Sequence, residues 1–342
     1  MNQRQESPPA SSNITPRADG GASSSVEDKP RRSGRRRRKP VWPAWIKVSP
    51  YFLSGIFYLS AFFAVFAPLP LLVLGQKKSR GLLLLAICTN LVIVQIAGGF
   101  LSTVSYSIFV AVLALAMTEF LHRKMKIELI ALYTGVAMGL AALAFLVAHA
   151  TYHQQTPYFA FKTETRKLVD SMIETLSVYM GGKEASTVVP PETDIEVWKS
   201  TMVSEFPSAI GLFSLILIWV NLTLTLRINP EGIRERLGLK PTFLKEWKAP
   251  EFLVWPTILC GAVYIFSGGW GPIVALNILK VLLGVYAIQG LSLMSYFLDL
   301  WKIRGFLRSL AYMIVVFRLL PLVLGLGFFD LWFDFRAKFR QS

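Results

Sequence analysis

Beyond residue 50 the chain alternates long apolar runs with short charged interruptions. The runs are Tyr51–Phe66, Leu82–Phe100, Val104–Phe120, Ile127–Ala148, Pro207–Leu226, Phe252–Phe266, Ile273–Leu298 and Leu310–Phe328. A helix needs roughly 20 apolar residues to cross the hydrocarbon core of a bilayer, and several runs reach that length. The pattern predicts an all-α, polytopic transmembrane helix bundle of about eight spans plus a broken or re-entrant segment. The break is expected after Phe66, where Pro68 and Pro70 remove backbone donors, with Leu71–Leu74 as a short returning piece.

Two stretches depart from this pattern and divide the chain. Residues 1–48 hold few large apolar side chains. They are expected to form a disordered, basic cytoplasmic tail, because little burial is available to offset chain entropy. Residues 49–149 carry the first group of spans and 207–342 the second. Between them, 150–206 is a polar insert, expected outside the cytoplasm. Leu168, Met172, Leu176, Tyr179 and Met180 recur there at helical spacing, and Gly181-Gly182 is expected to stop that helix. A second helix is expected from Glu192, with Ile195, Trp198, Met202 and Phe206 on one face. The pair reads equally as a lid on the bundle or as helices lying on the lipid surface.

Composition supports a bilayer as solvent. Of 342 residues, 53% are hydrophobic and 17% charged, against about one-quarter charged in soluble domains. Part of the net charge of +15 lies in the N-terminal tail, where residues 1–40 hold ten bases and four acids. There Arg31, Arg35, Arg36, Arg37 and Arg38 precede Trp42 and Trp45, placed as interfacial anchors. The arginines read as a positive-inside signal, or as a docking patch for anionic lipid headgroups or RNA. With the N-terminus in the cytoplasm, Lys77–Arg80, His122–Lys126, Arg227–Lys248 and Trp301–Arg308 all fall inside. The insert, with eight acids and five bases between Lys162 and Glu205, falls outside. The basic tail Arg336–Arg340 conflicts with this scheme unless Pro321 makes the last segment re-entrant.

The stretch Leu244–Pro256, "LKEWKAPEFLVWP", reads as a helix start. Proline suits the first helical position, and a carboxylate at Glu251 meets the positive end of the dipole. No partner for acid–base chemistry by Glu246 or Glu251 is evident, and the chain is not read as an enzyme. This stretch resembles the cytoplasmic linker of the YybS-like bacterial membrane proteins, built around a domain of unknown function. Leu276–Leu298, with Asn277, Gln289 and Gly290, is similar to that family's polar-spotted helix. "GFFDLWFDFR", Gly327–Arg336, is similar to its C-terminal signature, and Pro207–Arg227 also fits. Lys280 and the basic tail depart from the pattern. The resemblance implies a multi-pass protein of the bacterial inner (cytoplasmic) membrane. At fold level the family also resembles the S components of energy-coupling-factor transporters.

Polar residues inside apolar runs mark candidate sites. Asn90, Asn221, Asn277, Lys280 and Gln289 are the candidates for lining a cavity. The alternative for the asparagines is hydrogen bonding between helices, and for Lys280 snorkelling to the interface. His149 and His153 have the spacing of a metal-binding face but no evident third ligand, so no metal is called. No cofactor motif is present, and Cys88 and Cys260 read as small core residues. Two functions remain. One is the binding or transport of a small molecule in the manner of an S component. The other is a non-catalytic membrane scaffold or biogenesis factor acting through the basic tail and the insert.

Overall fold

The computed structural model describes residues 50–76, 80–188, 195–229, 232–240 and 242–340. The N-terminal tail, with its arginines and Trp42 and Trp45, lies outside them, as do Lys77, Lys78 and the start of the second insert helix at Glu192. Among the described residues every regular element is helical and there is no strand. The longer helices are α1 (Pro50–Leu59), α2 (Pro68–Gly75), α3 (Arg80–Tyr106), α4 (Leu113–His122), α5 (Ile127–Tyr152) and α6 (Pro157–Val188). They continue with α7 (Ile195–Ile228), α8 (Val254–Phe266), α9 (Gly271–Leu300), α10 (Phe306–Arg318) and α11 (Leu320–Phe333). A π-helical segment, Ser107–Val112, joins α3 to α4.

Among the described residues, four helical stretches are long and apolar enough to cross a membrane, or up to five if the bent pair α10–α11 counts as one span. One of the four, Arg80–His122, has 43 residues and would run about 65 Å if straight. It cannot be straight, because Arg80 Nη2 lies 2.9 Å from Glu119 Oε2. The chain folds back at Gly99, whose φ of 75° and ψ of −173° belong to a region open in practice only to glycine. Residue 99 thus separates two antiparallel arms, in line with the two runs read from the sequence.

The first segment breaks, but not at the prolines. Helix α1 ends at Leu59, and Ala61 adopts a φ of 54°. Pro68 then occupies the first turn of α2, where its missing N–H costs nothing. Ser54 Oγ donates to Ala67 O at 2.7 Å, so α2 doubles back beside α1. The two helices have 10 and 8 residues, too short to cross singly.

The insert also differs from expectation. Helix α6 continues through Gly181-Gly182 to Val188, since glycine inside a helix costs only about 1 kcal/mol. Helix α7 is one 34-residue rod that joins the second insert helix to the following span, with Pro207 inside it. Leu168, Met172 and Tyr179 of α6 are exposed, so these three side chains are not packed on the bundle.

Side-chain contacts gather the basic loops on one face. Arg236 donates to Gln76 at 3.1 Å, Trp247 to Glu128 at 3.2 Å, and Lys245 pairs with Asp299. Lys248 pairs with Asp334 at 2.7 Å, which brings the C-terminal tail to the same face. The 95° bend between α10 and α11 makes this possible and removes the conflict over the side of the tail. At the opposite end Tyr158 packs on Trp270 at 5.2 Å, and His149 faces Glu164 at 3.8 Å.

Candidate functional site

The five candidate polar residues do not converge. Asn90 is fully buried and ties α1 to α3. Its Oδ1 accepts from Gly55 N at 2.6 Å, and its Nδ2 donates to the Tyr51 and Ala86 carbonyls at 2.7 Å each. Asn221, also fully buried, donates to Val65 O at 2.8 Å and pins the segment ahead of α2. Both make the interhelical bonds that an amide in hydrocarbon requires.

Asn277 repairs a broken helix. Pro207 interrupts the ladder of α7, and the amide of Asn277 enters the gap. Ser208 N donates to its Oδ1 at 2.7 Å, and its Nδ2 donates to Ser204 O at 2.9 Å. Beside it, Lys280 pairs with Glu205 at 2.8 Å. This lysine therefore has a protein counter-ion on α7.

Gln289 belongs to a separate buried network at the basic face. Its Oε1 accepts from Ala249 N at 3.1 Å, and its Nε2 donates to Asp330 Oδ2 at 3.2 Å. Asp330 is fully buried and Arg336 is 4% exposed. The guanidinium donates to Trp247 O at 2.9 Å and Glu246 O at 3.2 Å, and its Nη2 lies 3.8 Å from Asp330. Burial lowers the Arg336 pKa, and the Asp330 carboxylate opposes that shift. This network clasps the 246–250 loop to the C-terminal tail. Asp330 interrupts the apolar run of α11, and that interruption was its signal in the sequence.

Small residues let α11 dock on α9. A Cβ on Gly290 would collide with the carbonyl of Val323, and one on Gly327 with that of Tyr286. Backbones this close exclude any larger residue.

None of the five candidates lines the main cavity. That cavity is a partly open groove of about 560 Å³ walled by α5, α7, α9 and the 247–253 loop. Its walls are apolar apart from Glu128 and Ser214, with two indole nitrogens at Trp219 and Trp247. On α5 it extends from Glu128 to Ala142, about 21 Å of helix. Two helix defects shape it. Ile108 and Phe109 come from the π segment, and Pro207 from the interrupted turn of α7. Such π segments occur frequently at functional sites. Gly139 contributes open wall, with nothing within 4 Å of a Cβ built there. Glu128 closes the end at the basic face, held by the indole of Trp247, which packs on Trp219 at 4.6 Å. Apolar groove residues carry no sequence signal that separates them from ordinary bundle packing.

His149 and His153 bring their rings to 4.5 Å. Among the described residues, no set of three or more His, Cys, Asp or Glu has the geometry to hold a metal ion. Cys88 is exposed and Cys260 buried, and neither forms a disulfide.

Helical composition, apolar spans and an apolar groove define a helical membrane protein. The family model described as "Predicted membrane protein (DUF2232)" matches residues 52–331, and the chain belongs to that family. No curated protein and no solved structure matches the chain.

Proposed function

We propose that this chain is a non-catalytic membrane protein that binds a lipid-like molecule, one extended hydrocarbon chain of which occupies the groove. The observation that carries this reading is the shape and lining of the cavity. Its volume of about 560 Å³ falls within the range of small-molecule sites. A groove that follows α5 for about 21 Å between apolar walls suits an extended hydrocarbon chain. The apolar lining favours a membrane-soluble ligand over a polar one. Among the described residues, Glu128 is the only ionisable one in the lining.

The positive-inside rule supports placing the basic face in the cytoplasm and the α6–α7 arm outside. The resemblance to YybS-like proteins supports the bacterial inner membrane. In the S-component reading, the bound molecule is passed to a separate transport module. In the scaffold reading, the basic tail and the insert engage partner proteins.

Native mass spectrometry of the purified chain tests the proposal. A stoichiometric lipid-like adduct is expected, and Gly139→Trp, which fills the groove, is expected to lose it. Lipid in variable number, unchanged by Gly139→Trp, refutes the proposal, as does a bound polypeptide in its place.

A further inference from the structure

The shell around α2 carries buried polar atoms that no protein group satisfies. Asn221 uses its Nδ2 on Val65 O and Leu217 O, and its Oδ1 has no protein partner. Thr225, one turn further along α7, is fully buried and its hydroxyl is unpartnered. On α4 the Thr118 hydroxyl is unpartnered and lies 2.7 Å from where a Cβ on Gly75 would stand. Gln76 is fully buried. Its Oε1 accepts from Arg236, but its Nε2 has no partner.

Several threonines elsewhere pair within their own helix, although the hydroxyls of Thr134 on α5 and Thr223 on α7 are also unpartnered. Thr89, Thr103, Thr151 and Thr257 each donate to the carbonyl four residues back, at 2.8–3.0 Å. Thr257 is itself buried, so burial alone does not explain the unpaired hydroxyls near α2.

These atoms are arranged in order. Val65, just ahead of α2, meets Asn221, and Gly75, at the end of α2, meets Thr118. Helix α7 leads from Asn221 past Thr225 to the turn whose Arg236 meets Gln76. The two helices thus run in the same direction, and α2 rises about 12 Å. Each unsatisfied buried group costs about 1–3 kcal/mol, and native proteins leave few of them without a partner or an ordered water.

We propose that this row binds a file of water molecules, running from Val65 and Asn221 inside the bundle to Gln76 at the basic face. The chemistry selects water over a cation. Asn221 Oδ1 can only accept, Gln76 Nε2 can only donate, and the threonines do both. Water bridges all of these, whereas a cation would face Gln76 Nε2 and the Arg236 guanidinium. The proposal is independent of the occupant of the groove, whose lining includes none of these residues.

Hydroxyl-radical footprinting of the full chain in lipid nanodiscs tests the water file, because X-ray radiolysis of bound water oxidises adjacent side chains. Leu226 and Leu293 are 2% and 1% exposed. Leu226, beside Thr225, is expected to label several-fold faster than Leu293. Met117, beside Thr118 and fully buried, is expected to label readily in the wild type. Both labels are expected to fall several-fold in a Thr118→Val/Thr225→Val double variant, with Tyr286 unchanged. Equal rates for Leu226 and Leu293 in the wild type overturn the proposal even if the double variant does not fold. Wild-type rates that persist in a folded double variant overturn it as well.

Discussion

The side-chain amide of Asn277 occupies the gap that Pro207 opens in a neighbouring helix. It accepts from Ser208 N and donates to Ser204 O, so one residue of α9 satisfies two backbone groups of α7. Asn277→Ala is expected to lower stability by about 1–3 kcal/mol, because buried backbone groups are then unpaired. In a Pro207→Ala background the ladder of α7 can close by itself, and Asn277→Ala is expected to cost less. Thermal unfolding of the four proteins in detergent gives the coupling directly. Additive effects would show that the amide is not repairing the helix.

The Asp330–Arg336 contact lies deep enough that removing one charge strands the other. Arg336→Leu is expected to destabilise the C-terminal clasp by about 3–5 kcal/mol, read as earlier protease cleavage around residues 335–340. Replacing both, Asp330→Leu with Arg336→Leu, is expected to recover part of that loss. A single variant as resistant as the wild type would remove the clasp from the account.

Helices α9 and α11 meet through their glycines. Gly327→Ala is expected to force them apart, because the added methyl meets the Tyr286 carbonyl. The expected readout is a lower melting temperature, with a smaller loss for Gly325→Ala, where nothing lies within 4 Å of a built Cβ. Equal losses at the two positions would contradict the close approach.

Acid should loosen the tail in a defined window. The Lys248 ammonium beside Asp334, the largest influence on it, holds that carboxyl below the usual aspartate range. The folded value is lower than the unfolded one. The stabilisation is therefore fully present above the unfolded pKa, about 3.9, and is lost as pH falls through the folded value. Hydrogen exchange of residues 335–338, corrected for intrinsic rate, is expected to be flat from pH 7 to 5. It is expected to rise below about pH 4. Lys248→Gln should move that rise upward in pH.

Much of the architecture was legible because the bilayer imposes a simple rule on length and apolarity. The two runs flanking Gly99, the returning piece after the first run and the re-entrant option at Pro321 could each be stated from residue types. Pro68 was misplaced as a breaker because a proline reads the same way at the end of one helix and at the start of the next. Gly181-Gly182 misled because a glycine pair is only a weak stop. The polar candidates were recognisable as unusual residues, but the partner of each lies on another helix. Asn90 reaches Gly55, Asn221 reaches Val65, and Asn277 reaches Ser204. Those pairings come from packing, which a one-dimensional pattern does not carry. The groove was the least visible, since Gly139 and Leu132 read identically as wall or as filler.

Helix α7 has 34 residues and is about 50 Å long, some 20 Å more than the hydrocarbon core. Its outer third is bound to α6 through Arg166–Glu196 and Lys199–Asp170, while Ile210, Ser214 and Ile218 wall the groove. One continuous helix therefore carries both the ion pairs to α6 and a wall of the groove, with the interrupted turn at Pro207 between the two parts.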